Sequence, residues 1–466
     1  MRRLSAAAAL LAASAAFAAP RPVPSEALAA RLADESLEIM GIVHVGLNTF
    51  TGKEWGYGDE KPKLFNPEEF DAGEIVRGCK AAGIGGLVVV AKHHDGFCLW
   101  PTKTTGHNIS LSPWRGGKGD YVREMAEACR KEGVKFGVYV SPWDRNNPYY
   151  AQEAYIYIFH RQLKELLTGY GEIFEVWFDG ANGGTGWYGG AKEKRTIPHG
   201  YYRFHEIGRF VAELQPKACA FGGTDWATMR WPGNERGILP PDCRATMPRT
   251  SSPRYDALLD AGAVDGEIFQ APEADFPLRK GWFHRDSEKG TTRTGEQLMK
   301  TYLDSVGNGG IMNIGVAPTA DGVLDADDVR ELRRFGEIRR EFFAREISDD
   351  GEFNVVVLKE NLVRGEQVDS WEFLADSRKV LSGKSVGIKR IRILDAPVKA
   401  KKCEFKCIKD GGDFRGVAFR RYYVDPALIA KVMGTSRVGE TQTAVMMQAG
   451  SQDPKKADVK KAKETK

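Results

Sequence analysis

The sequence predicts an α/β fold in which a (β/α)8-like TIM barrel is followed by a C-terminal β-sandwich domain. Short apolar runs alternate with amphipathic helical segments from residue 41 to residue 343, and this alternation is typical of parallel βαβ units whose strands are buried on both faces. From residue 354 the pattern changes to short β-type runs separated by turn residues, which favours a small antiparallel sandwich. The length of 466 residues suits two such domains.

The individual elements follow from these periodicities in chain order. Apolar runs predict barrel strands at residues 41–47, 86–91, 136–140, 175–178, 218–221 and 312–314. Helical spacing predicts helices at residues 26–40, 72–82, 120–132, 155–170, 201–214 and 325–343, the last of which closes the barrel domain. Sandwich strands are predicted at residues 354–358, 385–394, 403–408 and 416–423. We therefore place the barrel domain at residues 25–345 and the sandwich domain at residues 346–434.

Both ends of the chain carry segments that we exclude from the fold. Residues 1–19 are typical of an export signal, with positive charge at Arg2 and Arg3, an apolar stretch at residues 6–16 and a small-residue cleavage site at residues 16–18. The alternative is an Ala-rich first helix. We expect export to the periplasm or the extracellular space. Residues 435–466 are polar and Lys-rich, which favours a disordered tail over a basic segment that binds anionic surfaces.

Composition narrows the classes of protein to consider. A hydrophobic fraction of 42% and a charged fraction of 28% are those of a soluble globular protein. A net charge of +4 gives no electrostatic reason to expect nucleic acid as a partner. No run of about 20 apolar residues predicts a membrane anchor, and no pattern predicts an oligomeric state.

The seven cysteines show no C-x-x-C spacing, which favours free and mostly buried thiols. Cys403 and Cys407 suit either a bridge across a turn or two positions on one face of a strand.

In a parallel barrel, functional side chains cluster at the carboxyl ends of the strands. Polar and aromatic residues lie in or just after the predicted strands, namely His44, Glu54, Trp55, His93, His94, Tyr139, Trp177 and Asp179. A carboxylate such as Asp179, directly after a buried strand and before Gly180, suits nucleophilic attack on the anomeric carbon of a sugar. The same position equally suits a helix cap or a turn.

The paired histidines, His93 and His94, have three interpretations: ligands of sugar hydroxyls, ligands of a metal, or structural residues. Because adjacent residues at a strand end are expected to point apart, one metal ion is not expected to bind both. The aromatic faces of Trp55, Trp177, Trp231 and Trp282 suit packing against a pyranose as well as core positions.

Taken together, these segments resemble glycoside hydrolase family 29, the α-L-fucosidases. The resemblance covers about residues 41–345 and extends more weakly to residue 394. It rests on KHHDGF at residues 92–97, VKFGVYVSPWD at residues 134–144 and VWFDG at residues 176–180. SVGNGGIMNIG at residues 305–315 and IKRIRIL at residues 388–394 support it. The combination of KHHDGF with a downstream WFDG is the most specific part of this signal.

The resemblance implies a barrel followed by a β-sandwich and a hydrolysis that retains anomeric configuration. It implies that Asp179 is the nucleophile. It also implies that fucose is bound by His44, Glu54, Trp55, His93, His94, Tyr139 and Trp177. It implies neither a metal ion nor another cofactor, and the expected partner is a fucosylated oligosaccharide or glycoconjugate.

The position of the acid/base varies within the family. The segment RWPGNE at residues 230–235 resembles the branch specific for α-1,3/1,4-linked fucose and favours Glu235, with Glu267 and Glu273 as rivals. In the same branch a Trp lies near RKGWF, here Trp282, on the side of the leaving group.

Two other classes of function stay open at this point. A metal-dependent barrel hydrolase would use His44, His93, His94 and Asp95 as ligands, although the sequence has no H-x-H motif. A non-catalytic glycan-binding protein would keep the barrel without needing a pair of catalytic carboxylates.

Overall fold

The computed structural model describes residues 20–435 and confirms the predicted fold class. A closed barrel of parallel strands is followed by two antiparallel sheets. The predicted export signal at residues 1–19 and the predicted tail beyond Thr435 lie outside the described residues. Within residues 20–435, every helix is too short or too polar to cross a bilayer.

The strands of the first part of the chain are β1 (Ile39–Val43), β2 (Gly86–Lys92), β3 (Lys135–Val140), β4 (Glu175–Phe178), β5 (Gly184–Gly186), β6 (Glu193–Arg195), β7 (Cys219–Phe221), β8 (Met229–Arg230), β9 (Thr246–Met247), β10 (Ile268–Phe269), β11 (Ala271–Pro277) and β12 (Ile311–Val316). The helices of this part are α1 (Glu26–Ala33), α2 (Leu47–Thr51), α3 (Ala72–Ala81), α4 (Tyr121–Glu132), α5 (Glu153–Gly169), α6 (Phe204–Leu214), α7 (Gly295–Ser305) and α8 (Ala326–Phe342).

Around the barrel the strand order is β1-β12-β11-β8-β7-β4-β3-β2, and each neighbouring pair is parallel. The strands therefore follow one another in chain order, as in a (β/α)8 barrel. The regular alternation is interrupted after β7, which runs into β8 through a turn. Residues 231–270 then form long loops with the short antiparallel pair β9–β10 and the 3-10 turn Asp256–Leu258. One part of these loops lines the cavity where the barrel strands end, whereas Arg244 and Ala245 contact Asp369 and Glu366 in the second part of the chain.

Local signals in the sequence account for the helix boundaries. Asp120 caps α4 by accepting the backbone N–H of Arg123 at 3.0 Å, and the helix ends at Gly133, whose φ of 71° favours glycine. Asp71 caps α3 in the same way. Because these caps satisfy otherwise unpaired backbone groups, the predicted starts of both helices agree with the structure to within one residue.

The second part contains β13 (Glu352–Glu360), β14 (Val368–Ala375), β15 (Arg378–Gly383), β16 (Arg390–Lys399), β17 (Cys403–Asp410), β18 (Val417–Tyr422) and the helix α9 (Pro426–Met433). Its two antiparallel sheets have the orders β16-β13-β18 and β15-β14-β17. Strand β13 lies between two cores: Val355 and Val357 pack with the barrel, whereas Val356 and Leu358 pack inside the sandwich. Burial on both faces explains its unbroken apolar run.

Several predicted boundaries were wrong. The helix predicted at residues 26–40 ends at Ala33, because Asp34 caps a separate 3-10 turn, and Ile39 and Met40 already belong to β1. The strand predicted at residues 41–47 ends at Val43, and Leu47 starts α2. Both errors arise because buried apolar residues at a helix-to-strand junction fit either periodicity.

Other elements were missed. The barrel strands β8 and β11 were not predicted, since β8 has two residues and β11 carries two prolines and two acidic residues in APEADFP. In the sandwich, β14, β15 and α9 were missed, and the strand predicted at residues 385–394 begins at Arg390 and continues to Lys399. All seven cysteines are free within the described chain, and Cys403 and Cys407 both lie in β17.

Candidate active site

The carboxyl ends of the barrel strands surround a cavity of about 430 Å³. It is lined by all of the predicted site residues except Glu54, namely His44, Trp55, His93, His94, Tyr139, Trp177, Asp179, Glu235 and Trp282. Its outer wall is formed by Trp231, Tyr255, Asp256 and Leu259 from the long loops between β8 and β11. One cavity thus brings together residues that are more than 200 positions apart in the sequence.

Asp179 directly follows β4, and its side chain is 22% exposed. The hydroxyl of Tyr139 donates to Oδ2 at 2.8 Å, and the backbone N–H of Ala181 donates to Oδ1 at 2.6 Å. His94 Nε2 lies 3.8 Å from Oδ2. Hydrogen bonds to both oxygens stabilise the charged carboxylate and fix its orientation at the cavity wall.

Three histidines line the same wall. The rings of His93 and His94 are 4.2 Å apart, and that of His44 is 5.9 Å from His93. The expectation that adjacent histidines point apart was wrong. The pairing of β2 with β3 shifts register between Val90 and Lys92, and the chain then turns, so both rings reach the cavity.

Burial keeps these imidazoles uncharged. It lowers the pKa of His44 to about 3 and that of His93 well below the ordinary value, with neighbouring histidines adding to both effects. Burial also lowers the pKa of His94, against the opposing effect of the Asp179 carboxylate. Neutral imidazole has one N–H donor and one acceptor nitrogen, which suits sugar hydroxyls.

The hydrogen-bond network also assigns the tautomer of His94. Ser141 Oγ lies 2.7 Å from His94 Nδ1 and donates its single proton to the carbonyl of Trp143 at 2.8 Å. Nδ1 must then carry the proton, and the neutral ring presents Nε2 as an acceptor.

Beneath the cavity, aromatic and charged side chains form its floor. The ring of Tyr139 stacks on Trp177 with centroids 5.1 Å apart, and Trp177 Nε1 donates to Glu273 at 2.9 Å. Glu273 also accepts from Asn313 Nδ2 at 2.8 Å and lies 3.7 Å from the guanidinium of Arg31 in α1. The floor cluster (Arg31, Glu175, Glu273, Trp177 and Asn313) thus supports Tyr139 and, through it, Asp179.

Glu235 lies in the loop that follows β8. Trp282 Nε1 donates to its Oε2 at 3.2 Å. Burial raises the pKa of Glu235, as does the negative charge of Asp179, whereas the bond from Trp282 lowers it. The environment of Glu235 therefore favours its protonated form in the cavity that it shares with Asp179.

The contacts of Glu54 favour a role in joining two loops over the predicted role in binding sugar. Its Oε1 accepts the backbone N–H of Trp282 at 2.7 Å, and its carboxylate forms an ion pair with Arg285. A Cβ at Gly281 would come 2.6 Å from Arg285 Nη2 and 2.7 Å from Glu54 Oε2, so a larger residue there would displace the ends of both side chains. Glu54 ties the loop of Trp55 to the loop of Trp282 and lies outside the cavity lining.

The two rival acid/base candidates lie elsewhere. The side chain of Glu267 is 58% exposed and pairs with Arg249 at 3.5 Å, whereas Glu273 is fully buried in the floor cluster. Sequence analysis missed a further carboxyl at the cavity, Asp275, which is 3% exposed. The alternation of Glu273 and Asp275 in β11 was the available signal, because alternate residues of a strand share a face.

The ligands proposed for a metal do not come together. Asp95 accepts the backbone N–H of Phe97 at 3.1 Å and is absent from the lining of the cavity that His44, His93 and His94 share. Burial raises the pKa of Asp95 to about 7. Within residues 20–435, no group of three or more His, Cys, Asp and Glu side chains is arranged to hold a metal ion.

Comparison with known proteins points to one family. The model of the family described as alpha-L-fucosidase matches residues 31–340. Alpha-L-fucosidase 1 of Arabidopsis thaliana is 36% identical over 312 residues, which is 66% of this chain and 58% of that protein. A relative from Oryza sativa subsp. japonica is 36% identical over 339 residues, which is 70% of this chain and 62% of that protein. The chain thus spans about three fifths of the length of both plant relatives.

A solved structure is also similar. It is a glycoside hydrolase 29 family member from an unknown rumen bacterium, with 35% identity and a TM-score of 0.80. The match covers 87% of this chain and 78% of that one.

Proposed function

The chain belongs to the α-L-fucosidase family, and on that premise we propose that it removes α-L-fucose from glycans by a retaining, double-displacement hydrolysis. The observation that carries this proposal is the pair of carboxyl groups in one cavity, Asp179 held by two hydrogen bonds and Glu235 with a raised pKa. Asp179 acts as the nucleophile and Glu235 as the acid and then the base.

In the first step the bond between fucose and its leaving oxygen breaks. Positive charge develops on the sugar ring, and Asp179 attacks the anomeric carbon to form a covalent ester. Glu235 gives its proton to the departing oxygen, so no alkoxide has to leave. The raised pKa of Glu235 keeps this proton available at a pH where an ordinary glutamate has lost it.

The second step uses the same two groups with their charges exchanged. Once Asp179 is esterified, its negative charge no longer raises the pKa of Glu235, which falls. Glu235 is by then a carboxylate and accepts a proton from water, which attacks the anomeric carbon and releases fucose. Two inversions at one carbon retain its configuration.

The remaining lining residues bind and orient the sugar. The neutral rings of His44, His93 and His94 exchange hydrogen bonds with fucose hydroxyls. Trp55 is 45% exposed at the mouth of the cavity. Its ring packs against the apolar face of the pyranose. Binding energy gained in this way is converted into orientation at the reacting carbon.

We extend the proposal to α-1,3- and α-1,4-linked fucose. Glu235 lies in the segment that resembles this branch, and Trp282, on the leaving-group side, donates to it. The outer wall formed by Trp231, Tyr255, Asp256 and Leu259 provides contacts for a leaving oligosaccharide.

The test compares fucose release from α-1,2-, α-1,3- and α-1,4-linked oligosaccharides by the purified full chain. Release from the last two, with proton NMR detecting α-fucose before it mutarotates, is the expected result. Release of β-fucose would contradict a retaining mechanism, and equal release from α-1,2 linkages would contradict the branch.

Trapping tests the nucleophile directly. In 2-deoxy-2-fluoro-α-L-fucosyl fluoride the 2-fluoro group slows both steps, while the good leaving group keeps the first step faster than the second. The ester then accumulates, and mass spectrometry should find the sugar on the peptide containing Asp179. The Asp179→Ala variant should bind fucose but release none. A wild-type protein that binds fucosylated glycans and cleaves none would instead be a glycan-binding protein.

Export to the periplasm or the extracellular space is part of the proposal, based on residues 1–19. Cell fractionation with N-terminal sequencing of the exported form tests it, and cleavage at the end of the predicted signal, residues 1–19, is expected.

A further inference from the structure

The outer wall of the cavity lies in the long loops between β8 and β11, residues 231–270. Three of its residues, Tyr255, Asp256 and Leu259, belong to one stretch of turns, which we call the outer-wall segment (residues 255–262). Because a stretch of turns has no ladder of strand or helix bonds to fix it, its position depends on contacts with the rest of the protein.

Arg230, the last residue of β8, anchors this segment. It is fully buried, and its guanidinium donates to the backbone carbonyl groups of Leu259 at 2.9 Å, Arg244 at 2.6 Å and Gln270. Arg244 contacts the segment a second time, since its N–H donates to the carbonyl of Ala261 at 2.9 Å. The outer-wall segment is thus fixed relative to the backbone of Arg244.

The sandwich domain in turn holds Arg244 and the residue that follows it, Ala245. The guanidinium of Arg244 donates to the carbonyl of Val368 at 2.9 Å and pairs with Asp369 at 3.0 Å. Both carboxylate oxygens of Glu366 accept the N–H of Ala245, at 3.0 and 3.1 Å. Glu366 is 1% exposed and Arg244 is 5% exposed, so little water competes for these bonds.

The segment that carries Glu235 is fixed elsewhere. The N–H of Leu239 donates to the carbonyl of Asp304 at 3.0 Å, and Asn308 Nδ2 donates to the carbonyl of Leu239 at 2.8 Å. Asp304 lies in α7 and Asn308 in the turn after it, both in the barrel domain. The catalytic acid and the outer-wall segment therefore have separate supports.

We propose that the sandwich domain positions the leaving-group side of the cavity: Glu366, through Ala245 and Arg244, holds the outer-wall segment where the leaving oligosaccharide binds. This inference rests on the proposed function. Contacts with the leaving saccharide bind the ground state and the transition state alike, because the charge develops at the anomeric carbon. Loosening the segment should therefore raise KM for an oligosaccharide and leave kcat nearly unchanged.

Three variants test this link between the domains. Glu366→Ala removes the acceptor of the Ala245 N–H, whereas Glu366→Gln keeps an acceptor oxygen. Arg244→Met removes two bonds to the sandwich, while Asp369 keeps its pair with Arg21 at 2.8 Å. We expect Glu366→Ala and Arg244→Met to raise KM for a fucosylated oligosaccharide by about 5- to 20-fold, with kcat within about twofold of wild type. Glu366→Gln should keep KM within about threefold of wild type.

Lys359→Met is the matched control. Lys359 in β13 pairs with Glu35 of the barrel domain at 2.7 Å, so this ion pair also joins the two domains, but at the turn before β1 rather than at residues 231–270. This variant should keep KM for the oligosaccharide within about twofold of wild type. Melting temperatures measured on all variants show whether each is folded.

The leaving group distinguishes a loosened outer wall from a damaged fucose site. Because α-L-fucosyl fluoride has the same sugar and no leaving saccharide, its KM and kcat should stay within about twofold of wild type in every variant. Hydrogen exchange gives a measurement that is independent of turnover. The amides of residues 255–262 should exchange faster in Glu366→Ala and Arg244→Met, while those next to Asp179 keep the wild-type rates.

Three results would overturn the inference: an unchanged KM for the oligosaccharide in Glu366→Ala and Arg244→Met, an equal rise of KM for the fluoride, or an equal rise in Lys359→Met. A wild-type protein that releases fucose from neither donor would instead overturn the proposed function. In that case, unchanged hydrogen exchange at residues 255–262 in the variants would also refute the link between the sandwich and the outer wall.

Discussion

Replacing Arg31 by methionine should destabilise the barrel, although Arg31 does not line the cavity. Its side chain is 3% exposed and pairs with the fully buried carboxylate of Glu175 at 2.5 Å and with Glu273 at 3.7 Å. Burial lowers the pKa of Arg31, but the carboxylates outweigh this effect and the net pKa lies above the ordinary value. Removing one partner of a buried ion pair costs about 3–5 kcal/mol, since the other charge stays buried without compensation.

The expected loss can be measured in two ways. Urea unfolding followed by tryptophan fluorescence should give a free energy of unfolding lower by about 3–5 kcal/mol. The Tm should fall by at least about 6 °C, at roughly 2 °C for each kcal/mol in a domain of this size. Arg77→Met is the matched control, because Arg77 is 53% exposed and pairs with Glu132 at 3.4 Å, and its loss should stay below about 1 kcal/mol.

The pH dependence gives a second check. Burial and Glu175 raise the pKa of Glu273, while Arg31 lowers it, so Arg31→Met raises this pKa further. The folded variant then holds a proton that the unfolded chain releases above the ordinary glutamate pKa of about 4.3. The free energy of unfolding of the variant therefore rises as the pH falls, and its deficit relative to wild type is largest at alkaline pH. A deficit below about 1 kcal/mol at pH 7, or one that grows at low pH, would refute the reasoning.

Three further predictions concern the site. Tyr139→Phe removes a charge-assisted hydrogen bond to Asp179 and should lower kcat/KM by about 10- to 100-fold without a matching fall in Tm, whereas an unchanged kcat/KM would show that the bond is dispensable. Glu54→Gln and Arg285→Met should each lower kcat/KM by about 2- to 5-fold, because this ion pair joins two loops. A much larger loss of kcat/KM for Glu54→Gln than for Arg285→Met would show that Glu54 binds the substrate directly. The alkaline limb of kcat/KM should lie above the ordinary glutamate pKa of about 4.3, because the raised pKa of Glu235 sets this limb. Glu235→Gln should abolish the limb, and a limb that persists in this variant would exclude Glu235 as the acid.

The sequence by itself determined the fold class and much of the site. Short apolar strands that alternate with capped helices predicted the barrel, since each periodicity reflects which face of an element is buried. The segments KHHDGF and VWFDG predicted His93, His94 and Asp179, because residues just after a barrel strand must lie at its carboxyl end. For such residues, the order of strand and loop along the chain is sufficient to predict their place at the carboxyl end of the barrel.

Tertiary structure decided what depends on contacts between distant segments. The strand β11 was missed because its inner face carries Glu273 and Asp275, which depart from an apolar pattern. Glu273 is tolerated there because Arg31, Trp177 and Asn313, all distant in sequence, contact it. The sequence also did not reveal that Glu54 pairs with Arg285, which is 231 positions away, so its predicted role in binding sugar stays a prediction. Burial and the charges of non-local neighbours set which carboxyl group holds a proton, and a linear sequence specifies neither.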